Sequence, residues 1–195
     1  MRKFFILDFE TNGLSFHDME IIQCAILVVN EYMKIEDVFN KYYLAHNLKN
    51  SAEITGLTHE FLSKKSNDYF GKEDLTEIIN ITEQGVIVGQ NINFDLMVYD
   101  VMCLKHHIPI VPKYPLDIIE QFAVNGQYVS LEYTAKQNLS QEQFKNIENI
   151  SGNTGFHDAL YDVATVYELI RKNPQFKSRL NNYMYSLPVP EVYSL

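Results

Sequence analysis

Two features of this 195-residue sequence predict an α/β fold with a mixed sheet. The first 45 residues contain three short apolar runs joined by short polar links, which is the pattern of an antiparallel strand meander. In the rest of the chain, apolar residues recur at helical spacing, and one short apolar run interrupts them. Because a meander followed by helices and a strand is typical of a helix-covered sheet, we expect a central mixed sheet of about five strands, with the meander first.

The three strands of the meander are predicted from runs that are rich in Ile, Val, Phe and Tyr. They cover residues 3–9, residues 21–29 ("IIQCAILVV") and residues 38–45 ("VFNKYYLA"). The links between them are short, and parallel neighbours would need a longer crossover. We therefore expect the three strands to pair antiparallel.

The helical part of the chain is predicted from the spacing of its apolar residues. The segments "AEITGLTHEFLSKK" and "KEDLTEIINITEQ" have helical spacing, with breaks at Gly56 and around Gly71. Residues 86–89 ("VIVG") indicate a short buried strand, and "NFDLMVYDVMCLKHHI" indicates a helix that ends at Pro109. The segments "LDIIEQFAV" and "SLEYTAKQNL" predict short helical pieces, and residues 158–171 predict the last helix.

Length and composition indicate one compact domain. The chain has 195 residues, of which 46% are hydrophobic, and this is enough for one substantial core but would leave two domains undersized. We expect the domain to span residues 1–175 and a C-terminal extension to span residues 176–195. The extension ends in the proline-punctuated run "YSLPVPEVYSL", so it either packs on the domain or docks into a partner.

Charge and cysteine content limit the classes of function. The formal net charge of −9 argues against a broad electrostatic grip on duplex nucleic acid, although metal ions could still supply local positive charge for a small phosphate-containing ligand. Cys24 and Cys103 lie far apart in the sequence, so neither a zinc site nor a disulfide framework is expected. The N-terminal apolar run ends at Asp8, and no later run approaches the roughly 20 residues of a membrane helix, so we expect a cytoplasmic protein without a membrane partner.

Asp8 and Glu10 form the first candidate functional group. Residues i and i+2 of a strand project to the same face, so these two carboxylates lie side by side. They repel each other unless cations lie between them, which is the geometry of a metal site. The alternative is a chance pair of acids at a strand end, where such a pair is tolerated.

Asp95 follows the predicted strand at 86–89, in the segment "VGQNINFDLMVYD". Loops at the ends of sheet strands are where α/β proteins build their sites. The alternative is that Asp95 is the N-cap or a first-turn residue of the helix in this segment. A negative charge is stabilised at either position, because both lie at the helix N-terminus.

The segment "GFHDALYDVA" supplies the third group, at the start of the last predicted helix. Asp158 and Asp162 are one helical turn apart. We expect Asp158 to cap the helix and Asp162 to point into a site. His157 precedes the helix on a loop that contains Gly155, and its alternative is an ordinary surface histidine.

Taken together, "LDFETNGL", "ITGLTHE", "VGQNINFDLMVYD" and "HDALYDVA", in this order and at these intervals, resemble the DEDDh 3′-to-5′ exonuclease family. That family includes polymerase proofreading subunits, RNase T and oligoribonuclease. The resemblance runs from residue 4 to about residue 171 and implies a ribonuclease-H-like fold. A histidine five positions before the last aspartate marks the histidine type, whereas the tyrosine type would need tyrosine at the position of Asp158.

The resemblance also implies roles for individual residues. The metal-binding and catalytic acids would be Asp8, Glu10, Asp95 and Asp162. His157 would be the general base. The substrate-binding residues would be Thr11, Asn12, Gly13, Leu14, Leu57 and Asn91. The sequence departs from the family pattern at Gln90 (usually His), Asn12 (usually Thr) and Val163 (usually Ala). These departures bear on substrate preference, because they remove none of the implied metal ligands and leave the general base in place.

The implied activity is hydrolysis of phosphodiester bonds at the 3′ end of single-stranded DNA or RNA, with release of nucleoside 5′-monophosphates. Two Mg²⁺ or Mn²⁺ ions would be the cofactors, since four carboxylates offer the hard oxygen ligands that these ions prefer. The alternatives are a ribonuclease-H-like endonuclease and a non-catalytic nucleic-acid-binding or polymerase-associated module. A homodimer, a polymerase or processing-complex partner, and a role in proofreading, RNA trimming, oligonucleotide degradation, phage biology or defence all stay open.

Overall fold

The computed structural model describes residues 2–83, 85–153 and 155–187. It contains one five-stranded sheet, whose strands are β1 (Lys3–Thr11), β2 (Ile21–Asn30), β3 (Ile35–Tyr42), β4 (Val86–Gly89) and β5 (Tyr114–Asp117). The strand order is β3-β2-β1-β4-β5. Strands β1 to β3 pair antiparallel, while β4 pairs parallel with β1 and β5 pairs parallel with β4. The predicted α/β fold with a mixed sheet and a leading meander is confirmed.

Eight α-helices flank the sheet in the described part of the chain. They are α1 (Ser51–Thr55), α2 (His59–Lys65), α3 (Lys72–Thr82), α4 (Ile92–Lys105), α5 (Leu131–Asn138), α6 (Gln141–Ser151), α7 (Ala159–Lys172) and α8 (Pro174–Ser186). A 3₁₀ helix covers Ile119–Phe122. Within the residues described, none of the helices combines the length and apolarity that crossing a membrane requires.

Two of the expected boundaries differ in the structure, and two helices were not expected. The third strand runs from residue 35 to residue 42, three residues earlier than predicted. The segment "LDIIEQFAV" is helical only in part, because its first two residues, Leu116 and Asp117, belong to β5. Pro115 lies inside that strand, where proline is tolerated because β5 is at the edge of the sheet. Helices α6 and α8 were not predicted.

The sheet carries a hydrophobic core on each face. Phe4 and Ile6 of β1 pack with α7, for example with Val163, on one face. Phe5 and Leu7, which alternate with them, belong to the core on the other face, with residues of α3 and α4. Successive residues of β1 therefore project to opposite faces of the sheet. The even-numbered residues of β1 project to the face that α7 covers.

Helix α8 packs on the same core as α7. It buries Phe176, Leu180 and Met184, and the Asn173 side chain accepts a hydrogen bond from the Phe176 N–H at the start of the helix. The expected division after residue 175 falls inside this helix. Residues 188–195, which hold most of the proline-punctuated tail, lie outside the described residues.

The short length of β4 creates the edge on which the site is built. Strand β1 pairs with β2 from Lys3 to Thr11 but with β4 only from Phe4 to Ile6. The chain leaves β4 at Gly89, where an added Cβ would lie 3.1 Å from the Leu7 carbonyl oxygen and 2.7 Å from the Ile92 Cδ1. A larger residue would push α4 away from β1, so Gly89 allows the close approach of these two elements.

Candidate active site

Asp8 and Glu10 lie near the C-terminal end of β1. They occupy even positions and therefore share the face that Phe4 and Ile6 turn towards α7. On the neighbouring strand β2, Ala25 is opposite Asp8 and Gln23 is opposite Glu10. The predicted pairing of these two carboxylates on one face agrees with the strand register.

Asp95 reaches the same strand from α4. It is 4% exposed, and its Oδ1 accepts a hydrogen bond of 2.9 Å from the Phe9 main-chain N–H. Asp95 is not the cap of α4, because the helix begins at Ile92 after Asn91. The alternative that Asp95 is a helix cap is therefore wrong, whereas its position in the first turn is confirmed.

Asp117, at the end of β5, supplies the cap that α4 needs. Its Oδ1 accepts from the Asn91 N–H and its Oδ2 accepts from the Ile92 N–H, both at 3.0 Å. Asn91 has a left-handed backbone with φ of 55°, a conformation that asparagine tolerates better than most residues. Sequence analysis missed Asp117, because its partners lie 25 and 26 positions earlier in the chain.

The loop before α7 brings the last group to β1. Asp158 is the N-cap of α7, as predicted, because its Oδ1 accepts from the Tyr161 N–H at 3.1 Å. Asp162 follows one turn later. The His157 main-chain N–H donates to Asp162 Oδ2 at 3.2 Å, and His157 has a left-handed backbone with φ of 66°.

The predicted histidine and two of the predicted acids meet in one cluster. One side-chain ligand atom from each of Glu10, His157 and Asp162 lies within 4.8 Å of the other two. The Asp162 Oδ1 atom is buried and has no hydrogen-bond partner among the described residues. An unpaired buried carboxylate oxygen is costly, so this atom is available to a ligand or a cation.

Burial and mutual repulsion raise the pKa values of all four acids. The pKa of Asp8 rises to about 7, because of burial and then of the charge of Asp158. The pKa of Glu10 rises to about 10, because of burial and then of neighbouring acids, with Asp8 the strongest. The pKa values of Asp95 and Asp162 also rise well above the ordinary range, because of burial and then of Asp8. The acids therefore form one electrostatically coupled group.

This group fits a divalent cation of the hard type. Its donors are carboxylate oxygens with one imidazole nearby, and a bound cation would offset the repulsion that raises their pKa values. The orphaned Asp162 Oδ1 is a ready ligand atom. Cys24 and Cys103 are buried free cysteines, and neither belongs to the cluster of Glu10, His157 and Asp162.

The expected substrate-contact residues of the first turn differ in their availability. Asn12 is 1% exposed, and its side chain holds the turn together through the Asn47 carbonyl and through both the backbone and the side chain of Glu20. Thr11 donates its hydroxyl hydrogen to the Gly13 carbonyl. Leu14, in contrast, is 77% exposed.

The segment "ITGLT" presents a different side chain from the one expected. Leu57 is only 4% exposed and packs in a small cluster with Leu48 and Leu62. Ile54, three positions earlier on α1, is 65% exposed. Sequence analysis missed Ile54, because an apolar residue at helical spacing reads as a core position.

The order and pairing of the strands correspond to a ribonuclease-H-like fold. The model of the RNase_T exonuclease family matches residues 5–170. The chain belongs to this family, which consists of DEDD-type 3′-to-5′ exonucleases. The predicted family is confirmed.

Two curated relatives cover part of the chain. Proteins called DNA polymerase III PolC-type, from Thermotoga petrophila and Thermotoga maritima, are each 32% identical over 93 residues. The matched region is 47% of this chain and 7% of each relative. The chain thus corresponds to a small part of these much longer proteins.

Solved structures of exonuclease I have the same fold. One, described as suggesting how processivity is achieved, matches with a TM-score of 0.67 and 18% sequence identity. The match covers 94% of this chain and 44% of the exonuclease I chain. The zinc-bound form of the E. coli exonuclease I complex with single-stranded DNA matches with a TM-score of 0.70 and 17% sequence identity. The match covers 95% of this chain and 43% of that chain. This chain spans less than half the length of those proteins, and at such identities the likeness shows the fold.

Proposed function

We propose that this chain is a metal-dependent 3′-to-5′ exonuclease that removes nucleoside 5′-monophosphates from the 3′ end of single-stranded DNA or RNA. The observation that carries the proposal is the cluster of Glu10, His157 and Asp162, in which ligand atoms from a strand, a loop and a helix lie within 4.8 Å of one another. Asp8 and Asp95 are electrostatically coupled to this cluster. Membership of the exonuclease family supports the reaction class.

Asp8, Glu10, Asp95 and Asp162 would hold two Mg²⁺ or Mn²⁺ ions. When bound, such ions supply Lewis-acid stabilisation of the charge on the attacking and leaving oxygens of a phosphodiester. The carboxylates would bind the ions in place of their protons, because burial and mutual repulsion make charge on this group unfavourable without a cation.

His157 would act as the general base. Its side chain is exposed, its backbone is tethered to Asp162, and its ring reaches the Glu10 and Asp162 carboxylates. An imidazole at this position would take a proton from the attacking water.

The substrate would be held by its last nucleotide. The exposed side chains of Leu14 and Ile54 offer apolar contacts for a base, and the backbone of residues 11–13 offers polar ones. The net charge of −9 supports a short footprint on a single strand. Structures of exonuclease I with oligonucleotides such as dT13 support DNA as the first substrate to test, and the PolC-type relatives make a DNA polymerase a candidate partner.

The test uses 5′-labelled single-stranded DNA and RNA oligonucleotides with Mn²⁺, with Mg²⁺ and with EDTA. We expect a ladder that shortens from the 3′ end, requires the metal and disappears in Asp8→Ala and His157→Ala. The matched controls are Asp37→Ala and His107→Ala, which change an exposed acid on β3 and an exposed histidine beyond the far end of α4. Both controls should keep wild-type activity.

Two outcomes would overturn the proposal. Cleavage that continues when the 3′ end is blocked would indicate an endonuclease. Binding of oligonucleotides and of Mn²⁺ without any degradation would indicate a non-catalytic module on the same fold.

A further inference from the structure

The candidate active site brings together acidic side chains from two parts of the chain. Glu10 belongs to β1, whereas His157 and Asp162 belong to the loop and first turn of α7. The charge of Asp162 is among the causes that raise the pKa of Glu10. Apolar residues pack α7 on the sheet, and a polar contact fixes the start of the helix beside Glu10.

A buried glutamine makes that contact. Gln23 is 0% exposed and lies on β2 directly opposite Glu10. Its Oε1 accepts from the Ala159 N–H at 3.0 Å, and its Nε2 donates to Asp158 Oδ2 at 3.2 Å and to Asn40 Oδ1 at 3.1 Å. One amide therefore bonds both the backbone and the cap residue of α7.

Tyr42 reinforces the same carboxylate from β3. It lies opposite Gln23 in the sheet, so Glu10, Gln23 and Tyr42 form one row across three strands. The Tyr42 hydroxyl donates to Asp158 Oδ2 at 2.7 Å. Every residue of this row faces the start of α7, because directly paired residues of neighbouring antiparallel strands project to the same side.

These contacts exceed what helix capping requires. As an N-cap, Asp158 needs only the bond from the Tyr161 N–H to its Oδ1. The other oxygen accepts from Gln23 and Tyr42 and so ties the helix to the sheet. His157, the residue before Asp158, has a left-handed backbone that is unfavourable for a side chain with a Cβ, so its neighbours must fix it.

We propose that Tyr42 and Gln23 are positioning residues: they hold Asp158 and the first turn of α7, and thereby set His157 and Asp162 against Glu10. Neither residue touches the reacting atoms. This inference rests on the proposed exonuclease function, because its consequence is a correctly placed base and acid. A displacement of about 1 Å at a reacting group is enough to lower a rate by up to two orders of magnitude.

The test compares two adjacent tyrosines. Tyr42→Phe removes the hydroxyl that donates to Asp158. Tyr43→Phe removes a hydroxyl that donates to the partly exposed Asp74, and the Tyr43 ring belongs to the core on the opposite face of the sheet. Both variants lose one hydrogen bond, so their melting temperatures should fall by similar small amounts. At saturating Mn²⁺, kcat on a single-stranded oligonucleotide should fall about five-fold in Tyr42→Phe alone, with KM unchanged, which is the loss expected for one hydrogen bond.

A second variant tests whether Tyr42 acts through Asp158. Asp158→Asn keeps the oxygen that caps the helix but replaces the other oxygen by an NH₂ group, which cannot accept from Gln23 or Tyr42. Its kcat should also fall, and the double variant with Tyr42→Phe should lose no more than Asp158→Asn does. If the fold-losses of kcat in the two single variants multiply in the double variant, the two residues act independently and the proposal is overturned.

The proposal and the proposed function fail in different ways. Equal kcat values in Tyr42→Phe, Tyr43→Phe and wild type would overturn the positioning role and leave the exonuclease intact. If the wild type degrades no oligonucleotide, the proposed function fails, and amide hydrogen exchange of the metal-free protein decides the positioning role. Faster exchange at Ala159 and Tyr161 in Tyr42→Phe than in Tyr43→Phe would support it, and equal exchange would overturn it.

Discussion

The main-chain N–H of Phe9 and the Oδ1 of Asp95 form a hydrogen bond of 2.9 Å between β1 and α4. Strand β1 extends past its partner β4 at this point, so no residue of β4 pairs with Phe9 on that side of the strand. Asp95 supplies the missing acceptor with one carboxylate oxygen. A predicted metal-binding acid therefore also completes the edge of the sheet.

This double role predicts different effects for two substitutions of Asp95. Asp95→Asn keeps an oxygen that can accept from Phe9 and removes a buried charge, so the metal-free protein should melt at or above the wild-type temperature. Asp95→Ala leaves the Phe9 N–H unpaired, which should cost about 1–3 kcal/mol. Thermal unfolding in EDTA measures both, and equal melting temperatures for Asn and Ala would contradict the role of the hydrogen bond.

Both substitutions should abolish the stabilisation by Mn²⁺, because a neutral amide is a poorer ligand for a hard divalent cation than a carboxylate. Asp37→Ala, at an exposed acid of β3, is the control and should respond to Mn²⁺ as the wild type does. A normal Mn²⁺ response in Asp95→Asn would show that Asp95 is only a structural residue.

The raised pKa of Asp8 predicts how the stability of the metal-free protein depends on pH. In the folded state the pKa is about 7, against an ordinary value of 3.8, so the folded state binds the proton more tightly than the unfolded state does. This stabilisation is fully present below about pH 4 and is lost as the pH rises through about 7. In EDTA, the contribution of Asp8 should therefore lower the melting temperature between pH 5 and pH 8.

Mn²⁺ should reverse this trend, because cation binding favours the ionised carboxylates. The increase in melting temperature on adding Mn²⁺ should grow from pH 5 to pH 8. Asp8→Asn should show a flatter pH dependence in EDTA and a smaller Mn²⁺ response. An Mn²⁺ response that is absent at every pH would count against a metal site at these acids.

In "ITGLT", Ile54 is exposed and Leu57 is buried, so substitution of Ile54 should affect substrate binding and substitution of Leu57 should affect stability. Ile54→Ala removes an exposed side chain, so KM should rise several-fold while the melting temperature stays within about 1 °C of wild type. Leu57→Ala opens a cavity in a small core and should cost about 2–4 kcal/mol of unfolding free energy. Steady-state kinetics and urea unfolding separate the two, and a KM effect confined to the Leu57 variant would contradict this assignment.

The parts of the fold that the sequence predicts are those with strong local patterns. Strands β1, β2 and β4 are continuous apolar runs, and α7 combines an apolar face with an N-cap. Strand β5 was missed because it has four residues and contains Pro115, so only its pairing with β4 defines it as a strand. Helices α6 and α8 have mostly polar sequences and bury few residues, namely Ile147 in α6 and Phe176, Leu180 and Met184 in α8, so each has only a narrow apolar face.

The residues of the site also divide into those with a local sequence pattern and those defined only by long-range contacts. The acids and His157 lie in motifs whose spacing is visible along the chain. Gln23, Tyr42 and Asp117 are supporting residues whose partners at the starts of α4 and α7 lie between 25 and 136 positions away. No local pattern distinguishes such a polar residue from a surface one, so only the folded structure reveals it.

Asp117 provides a test of this supporting layer. Asp117→Ala leaves the Asn91 and Ile92 N–H groups at the start of α4 without their acceptor, which should cost about 1–2 kcal/mol of unfolding free energy. Because Asp95 lies in the first turn of that helix, kcat should also fall, by about three- to ten-fold. Asp117→Asn keeps one acceptor oxygen and should lie between wild type and Ala in both measurements.

The control for this experiment is Ser130→Ala, which removes the side-chain cap of α5 and should cost a similar free energy. Urea unfolding and steady-state kinetics on the same preparations compare the two caps at matched stability loss. If Ser130→Ala lowers kcat as much as Asp117→Ala does, the loss reflects general destabilisation rather than displacement of Asp95. A fall in kcat specific to Asp117 would place this residue among those that hold the acids in position.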